Sequence, residues 1–232
     1  AVGSNSAPHV RVFRRSGREL DTTQMSISGT APEGSPTGLD WSPDSKILSF
    51  SMTASPYFGS VLLSDNTLTR LPNPADLPAG AGQAVSWSPE GTVVSVAHTT
   101  TPFVTTYSRS VSTLSKVADP ATLPAGNGNG VRWSPLGRAL VVTHSSGDNI
   151  TVYDWDGSTF AAQPSPVVLP GVPAFRTPSW SPDGRLLSLT QLLNPDPVYV
   201  YETSGLQPNI NDSSLPLQYS AFEAGRDEIR RV

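Results

Sequence analysis

The side chains best suited to chemistry in this sequence are two histidines that recur 46 positions apart. His98 and His144 each end an apolar run and begin a polar loop, where an imidazole could accept a proton or bind a metal. The other polar residues of this predicted face are Asn127, Asn129, Asp148 and Asn149. Together the six residues predict a surface that binds a sugar or a protein partner. The simpler alternative is that each imidazole hydrogen-bonds the backbone of its own loop.

The sequence lacks the usual patterns of catalytic and metal sites. It has no Gly-x-Ser-x-Gly nucleophile elbow, and zero cysteines exclude thiolate zinc sites and Cys nucleophiles. The third histidine, His9, forms no helical metal-ligand spacing with the others. A glycosidase needs paired carboxylates, but in the repeats described below Asp40 aligns with Ser86, Arg132 and Ser179. We therefore predict no catalytic residues, no metal, no cofactor and no enzyme activity.

Charge and hydrophobicity narrow the classes of partner. The chain carries 15 Lys and Arg against 19 Asp and Glu, a net charge of -4. Broad binding to nucleic acid needs a basic surface, which this balance does not favour. No stretch approaches the roughly 20 consecutive apolar residues that cross a bilayer. We predict neither a nucleic-acid partner nor membrane insertion.

An internal repeat supplies the elements that would position these side chains. Trp-Ser-Pro segments begin at Trp41, Trp87, Trp133 and Trp180, with spacings of 46, 46 and 47. Each Trp ends a first strand, and the following turn predicts a tight hairpin to an apolar second strand. A β-branched third strand and a weaker fourth strand follow. We interpret the indoles as core between adjacent sheets, with an aromatic ligand cage as the alternative.

Two of the four turns depart from the Ser-Pro-acid-Gly pattern. Leu136 replaces the acidic residue in the third copy, and Ser45 replaces the glycine in the first. Glycine accepts a positive φ without steric cost, and an acidic side chain can hydrogen-bond its own turn. We therefore expect the first and third turns to be looser than the other two.

The two chain ends together predict one further unit. Residues 8–16 align with the third strand at 102–110, and an outer strand at 19–23 follows. Residues 220–226 resemble a first-strand segment with Phe222 in place of Trp. The expected fold is all-β: a single five-bladed β-propeller of four-stranded antiparallel blades, the last closed jointly by N- and C-terminal strands. An incomplete ring, or one completed by a neighbouring chain, is the alternative.

The predicted boundaries follow the repeat. We expect one propeller domain over residues 1–232, whose blades cover 37–76, 83–122, 129–168, 176–215, and 216–232 joined with 1–30.

The Trp-Ser-Pro-Asp-Gly units resemble the WD40-like, TolB-type repeats of propeller proteins. The Leu-Pro-Ala-Gly connections at 77–82 and 123–130, with the loops that begin at His98 and His144, are similar to propeller-repeat proteins of tailed bacteriophages. This resemblance implies a non-enzymatic structural or binding protein of the virion, as a head decoration, tail or fibre-associated component. Its partners would be other virion proteins or a host-surface glycan, in a homo-oligomer or symmetric assembly.

Two alternatives remain for the function. The first is a lectin-like propeller that binds carbohydrate through equivalent loops, since repetition offers multivalent avidity. The second is a TolB-like periplasmic domain that binds a protein partner. Either alternative replaces a virion location with a periplasmic or extracellular one.

Overall fold

The computed structural model describes residues 1–4, 9–29, 34–165, 178–190, 198–203 and 218–220. All regular elements within these residues are β-strands, and they pair into five sheets. None of the described segments forms a helix with the length and apolarity of a membrane span. The fold is all-β and propeller-like.

The N-terminal sheet contains three antiparallel strands. They are β1 (Val2–Gly3), β2 (Val10–Ser16) and β3 (Glu19–Met25), paired in that order. A short strand, β4 (Ile27–Ser28), then leaves this sheet and pairs in parallel with the outer strand of the next one. The N-terminal segment is therefore linked to its neighbour by backbone hydrogen bonds as well as by packing.

Four repeat sheets follow, each of four antiparallel strands in chain order, as the sequence predicts. The first comprises β5 (Pro36–Trp41), β6 (Ile47–Met52), β7 (Phe58–Ser64) and β8 (Thr67–Arg70). The second comprises β9 (Gly82–Trp87), β10 (Val93–His98), β11 (Val104–Ser110) and β12 (Thr113–Lys116). The third comprises β13 (Gly128–Trp133), β14 (Ala139–His144), β15 (Ile150–Trp155) and β16 (Phe160–Ala162). The fourth comprises β17 (Ser179–Trp180), β18 (Leu186–Thr190), β19 (Val198–Glu202) and β20 (Gln218–Ser220).

The four Trp-Ser-Pro turns are closed in the same way. In each, the N–H three residues after the Ser donates to the Ser carbonyl, at 2.8 Å in the first turn and 2.9 Å in the others. The Ser hydroxyl also accepts the N–H that opens the second strand, from Ile47 to Ser42 and from Ala139 to Ser134. Ser45 adopts a φ of 57°, close to the 69–71° of the three equivalent glycines. The expectation of two looser turns is wrong, because these two hydrogen bonds close the turn without the acid or the glycine.

Apolar clusters lie between neighbouring sheets. Val10 and Val12 of the N-terminal sheet pack against Leu48 and Phe50 of the first repeat sheet. Similar clusters join the first repeat sheet to the second, the second to the third, and the third to the fourth. Every residue of β6, β10 and β14 is buried, so these strands are covered on both faces. Each repeat Trp packs in the cluster between its own sheet and the preceding one.

A buried tyrosine hydroxyl ties each of two sheets to the connection that precedes it. Tyr107 donates to the carbonyl of Asp76 and Tyr153 to that of Thr122, both at 2.9 Å and both across 31 positions. Burial raises the pKa of both hydroxyls above the usual range of tyrosine, so each keeps its proton. The two bonds satisfy backbone carbonyls in connections that have no strand partner.

The C-terminal strand departs from the predicted blade boundaries. β20 pairs with β19, with Ser220 opposite Val200, and forms the fourth strand of the fourth repeat sheet. The prediction ended this sheet at residue 215 and gave Ser220 to the terminal blade. The outer edge of β19 offers unpaired backbone groups, and residues 218–220 take that edge. Phe222 and the rest of 221–232 lie outside the described residues, so closure by both termini stays a prediction.

We expect Tyr107→Phe and Tyr153→Phe each to lower the free energy of unfolding by about 1–3 kcal/mol, because a buried carbonyl loses its donor. Urea denaturation of the purified variants measures this loss. Tyr57→Phe is the matched control, since the Tyr57 hydroxyl has no hydrogen bond within the described residues. An equal effect of all three substitutions would show that the hydroxyl bonds do not support the sheets.

Candidate functional site

The first strands of the repeat sheets each bring one polar side chain to a shared cavity. Asp40, Ser86, Arg132 and Ser179 directly precede the four repeat tryptophans, and all four line a cavity of about 240 Å³. The first strand β9 contacts both β5 and β13, and the shared cavity places the four side chains around one centre. The Trp-Ser-Pro segments line the same cavity. We call this cavity, lined by the four polar residues and the Trp-Ser-Pro segments, the mouth.

Two of the four polar side chains connect one sheet to the next. The carboxylate of Asp40 accepts the backbone N–H of Trp87 at 2.7 Å, across 47 positions. The hydroxyl of Ser86 accepts the N–H of Trp133 at 3.2 Å, also across 47 positions. The residue before one Trp therefore caps the N–H of the next Trp along the chain. These hydrogen bonds fix the spacing of the first strands at the mouth.

Among the residues that the structure describes, Asp40 is the one carboxylate that lines the mouth. Burial raises the pKa of Asp40, and the N–H of Trp87 and the positive charge of Arg132 partly oppose that rise. A carboxyl group with a raised pKa in a cavity is a candidate for proton transfer. Its Oδ2 atom is already used to cap Trp87, however, and the aligned positions hold Ser86 and Ser179 rather than a second acid.

Arg132 differs from its neighbours because a guanidinium donates hydrogen bonds and accepts none. Its side chain is exposed at the mouth. The described residues contain two ion pairs, Asp44 with Arg109 and Lys116 with Asp119, and neither involves Arg132. Its charge is therefore available to a ligand that enters the mouth.

The two histidines lie elsewhere, at the ends of β10 and β14. A β-bulge places His98 opposite Gly82, and another lies where His144 pairs with Gly128. Both imidazoles are buried, and each Nε2 atom lies 2.9 Å from a threonine hydroxyl of its own sheet. The Nδ1 atom of His144 also lies 2.8 Å from the carbonyl of Ser146. Each imidazole is thus held within its own sheet through Nε2, and a ligand role for the two histidines stays a prediction.

The remaining residues of the predicted polar face surround the His144 loop. Asn127 is exposed, and its carbonyl accepts the N–H of Ser145 at 3.1 Å. Asn129 and Asp148 are half-buried, and Asn149 is buried. The carboxylate of Asp148 accepts the hydroxyl of Ser165. Asn127 is therefore more exposed to solvent than the other members of this face. The described residues contain no cluster of three metal-ligating side chains.

Sequence reasoning aligned the four mouth residues but used them only to look for paired acids. The signal that it missed is the change of hydrogen-bonding role along the series, from acceptors at Asp40 and Ser86 to a donor at Arg132. The change matters because Asp40 and Ser86 accept hydrogen bonds from the tryptophan N–H groups of the next sheet. These contacts join distant parts of the chain, so the sequence alone does not show them.

No protein-family model and no curated protein matches this chain. Solved structures of similar fold do exist. A protein from Lactobacillus plantarum is 16% identical with a TM-score of 0.65, covering 83% of this chain and 60% of its own. A functionally unknown protein from Desulfotomaculum acetoxidans is 15% identical with a TM-score of 0.63, covering 90% and 61%. A candidate 6-phosphogluconolactonase from Bacteroides uniformis is 16% identical with a TM-score of 0.59, covering 79% and 57%.

At these identities the likeness concerns the fold alone. This chain spans 57 to 61% of the length of those three proteins, so each of them contains more chain than is present here.

We expect folding stability to fall between pH 6.5 and about 4 because of His98. Burial lowers the pKa of His98 from 6.5 to about 4, so within this window the unfolded chain takes up a proton that the folded chain does not. The loss reaches about 3 kcal/mol across the window. Denaturation at a series of pH values should show this loss in the native protein and a smaller loss in His98→Gln, where the buried His144, whose pKa burial also lowers, still contributes.

The control for this measurement keeps the imidazole and removes its partner. Thr105→Val retains His98 and should therefore retain the pH-dependent loss. A His98→Gln profile parallel to that of the native protein would contradict the assignment.

Proposed function

We propose that the chain is a non-enzymatic binding propeller that takes its ligand at the mouth. The observation that carries this proposal is the exposed guanidinium of Arg132, which forms no ion pair within the described residues, in a cavity where Asp40 and Ser86 are already used by the sheets. Binding sites combine a preformed concave surface with a few polar groups that fix orientation. The mouth offers both features, because packing and the bonds from Asp40 and Ser86 position its walls before a ligand arrives.

The absence of paired carboxylates among the described residues of the mouth supports the non-enzymatic part of the proposal. Glycoside hydrolysis needs two carboxyl groups, and within this part of the chain Asp40 alone brings one to the mouth. Since one structure of similar fold is a candidate 6-phosphogluconolactonase, hydrolysis of 6-phosphogluconolactone is the activity to test. Hydrolysis above the buffer rate that disappears in Asp40→Asn would overturn the non-enzymatic proposal.

The biological setting that we propose is a tailed-phage virion, which rests on the sequence resemblance of the loops and connections. A rigid propeller could bind other virion proteins or a host-surface glycan through one face. Mass spectrometry of washed particles tests this setting, since a decoration or tail protein remains with the particle. Detection only in the periplasm favours the TolB-like alternative, and specific binding on a glycan array favours the lectin-like one.

The proposed ring closes by packing the N-terminal sheet on the fourth repeat sheet. Leu186 and Val198 are 41% and 45% exposed, whereas the aligned residues Ala139 and Ile150 of the third sheet are 0% and 2% exposed. These two aligned residues lie in the cluster that the third sheet shares with the fourth. One face of the fourth sheet is thus uncovered at positions that are covered in the other repeats.

Phe13 is the residue that we assign to this uncovered face. Between the first and second repeat sheets Phe58 stacks on Tyr107, with ring centroids 5.1 Å apart. Between the third and fourth repeat sheets Ile150 packs with Tyr201. Val198 aligns with Phe58 and Ile150, and Phe13 aligns with Tyr107. A contact between Val198 and Phe13 would repeat the same interface and complete five blades.

We expect Phe13→Cys combined with Val198→Cys to form an intramolecular disulfide under mild oxidation, because closure brings the two positions together. The chain has no other cysteine, so the product is unambiguous on a non-reducing gel. Leu20→Cys with Val198→Cys is the control, since Leu20 is 69% exposed on β3. A disulfide that links two chains would show that a second copy, rather than the N-terminal sheet, covers the face.

An NMR screen of a small-molecule library of mixed charge tests binding at the mouth. The screen follows the backbone N–H signals of the four repeat tryptophans. We expect some compounds to shift these signals in the native protein and to bind Arg132→Gln about tenfold more weakly, because a charge-assisted hydrogen bond is lost. Arg138→Gln is the matched control, as Arg138 is an exposed arginine of the same sheet that does not line the mouth. The absence of any binding compound would make the proposed function wrong.

A further inference from the structure

The hydrogen bonds at the mouth follow a rule that the third junction breaks. At the first junction Asp40 accepts the N–H of Trp87, and at the second Ser86 accepts the N–H of Trp133. At the third junction the corresponding pair is Arg132 and the N–H of Trp180. Both members of this pair are donors, because arginine has no acceptor atom. The chain therefore presents two donors where the other junctions present a donor and an acceptor.

The N–H of Trp180 has the same direction as its equivalents. Trp180 pairs with Leu187 across the sheet, as Trp87 pairs with Val94 and Trp133 with Leu140. The next backbone hydrogen bond between the first and second strands is also the same. The N–H of Ser181 donates to the carbonyl of Leu186 at 2.8 Å, as the N–H of Ser88 donates to the carbonyl of Val93 at 2.9 Å. With this register the Trp180 N–H points out of its own sheet, toward the side from which the preceding sheet supplies a cap. Within the described residues no acceptor meets it.

Two further observations characterise the space between these donors. Ser134, Ser179 and Trp180 line the mouth together with Arg132, so the space belongs to the cavity of about 240 Å³. The hydroxyl of Ser179 has no hydrogen bond to a described residue, whereas that of Ser134 is already used to accept the N–H of Ala139. Ser179 is thus a third donor that is free to turn toward a ligand.

We propose that the mouth binds a small carboxylate ligand between the guanidinium of Arg132 and the backbone N–H of Trp180. This inference rests on the proposed function and names the ligand class of the same site. The two oxygens of a carboxylate match the paired N–H groups of a guanidinium, and its remaining lone pairs accept from Trp180 and Ser179. The ligand takes the place that Asp40 and Ser86 occupy at the other two junctions.

The charge of the mouth favours a monoanion over a dianion. Asp40 lines the same cavity, and an ionised carboxylate there repels a second negative charge. Inorganic phosphate is a mixture of monoanion and dianion at neutral pH, so on average it carries more negative charge than acetate and meets more of this repulsion. Both ions suit a guanidinium, so a comparison between them separates the preferred ligand from simple attraction of anions to a positive charge.

The test variant is Arg132→Ser, which copies the second junction. A serine at this position can accept the N–H of Trp180 as Ser86 accepts that of Trp133, so the protein should fold and retain its stability. It has no charge with which to bind an anion. Arg138→Gln again serves as the control, because it removes one positive charge from the same sheet outside the mouth.

The measurement is an NMR titration of the Trp180 backbone N–H signal with sodium acetate, at an ionic strength held constant with sodium chloride. We expect a saturable shift of this signal in the native protein and in Arg138→Gln. In Arg132→Ser the affinity should fall about tenfold or more. Sodium phosphate should produce the shift with a lower affinity than acetate.

Other outcomes overturn the inference. An unchanged Trp180 signal in acetate, an equal response in Arg132→Ser, or tighter binding of phosphate than of acetate would each make it wrong. The library screen separates this failure from failure of the proposed function. If neutral or cationic compounds bind at the mouth and acetate does not, the binding role stands and the carboxylate assignment falls. If no compound binds, both fall.

Discussion

The structure depends on sheets that are covered on both faces. All six residues of β6, β10 and β14 are buried, so each of these second strands needs a neighbouring sheet on either side. Burial of apolar surface contributes about 25 cal/mol per Å² to the free energy of folding. A sheet that is covered on only one face loses this contribution from its other face. A row of twisted sheets that satisfies this requirement brings its first strands together on one side. The mouth is thus a consequence of packing, and the chain did not need a separate element to build it.

The repeat Trp sets the geometry between sheets, and the residue that covers it is free to vary. Arg109 lies with its guanidinium 5.7 Å from the ring of Trp87 and reaches the carboxylate of Asp44 in the preceding sheet at 2.9 Å. At the aligned position Trp155 packs edge-on against Trp133 at 5.9 Å. A cation and an indole fill the same place because both bind an aromatic surface. The interface is conserved in shape between the two copies while its chemistry changes.

The strands, their order and the hairpins could be predicted from sequence, because they follow local rules of apolar alternation and turn chemistry that recur at Trp87 and Trp133. The pairing of β20 could not, since an edge strand is recruited by backbone hydrogen bonds that leave no side-chain pattern. For the site, the sequence predicted binding residues at the ends of β10 and β14, because polar loop residues often carry function. The structure instead shows His98 and His144 hydrogen-bonded within their own sheets, because one threonine lies across each hairpin, Thr105 in the second sheet and Thr151 in the third.

The mouth residues vary because packing does not constrain them. Each lies directly before a repeat Trp and lines the cavity without belonging to the apolar clusters between sheets, so its replacement leaves these clusters intact. Structural use of the position requires only an acceptor for the next Trp N–H, which Asp40 and Ser86 both supply. Arg132 cannot accept the N–H of Trp180 and instead adds a positive charge beside it. A backbone N–H that stays without an acceptor costs free energy. A ligand that brings its own acceptor offsets this cost, and so the copy that departs from the structural rule is the one with capacity to bind.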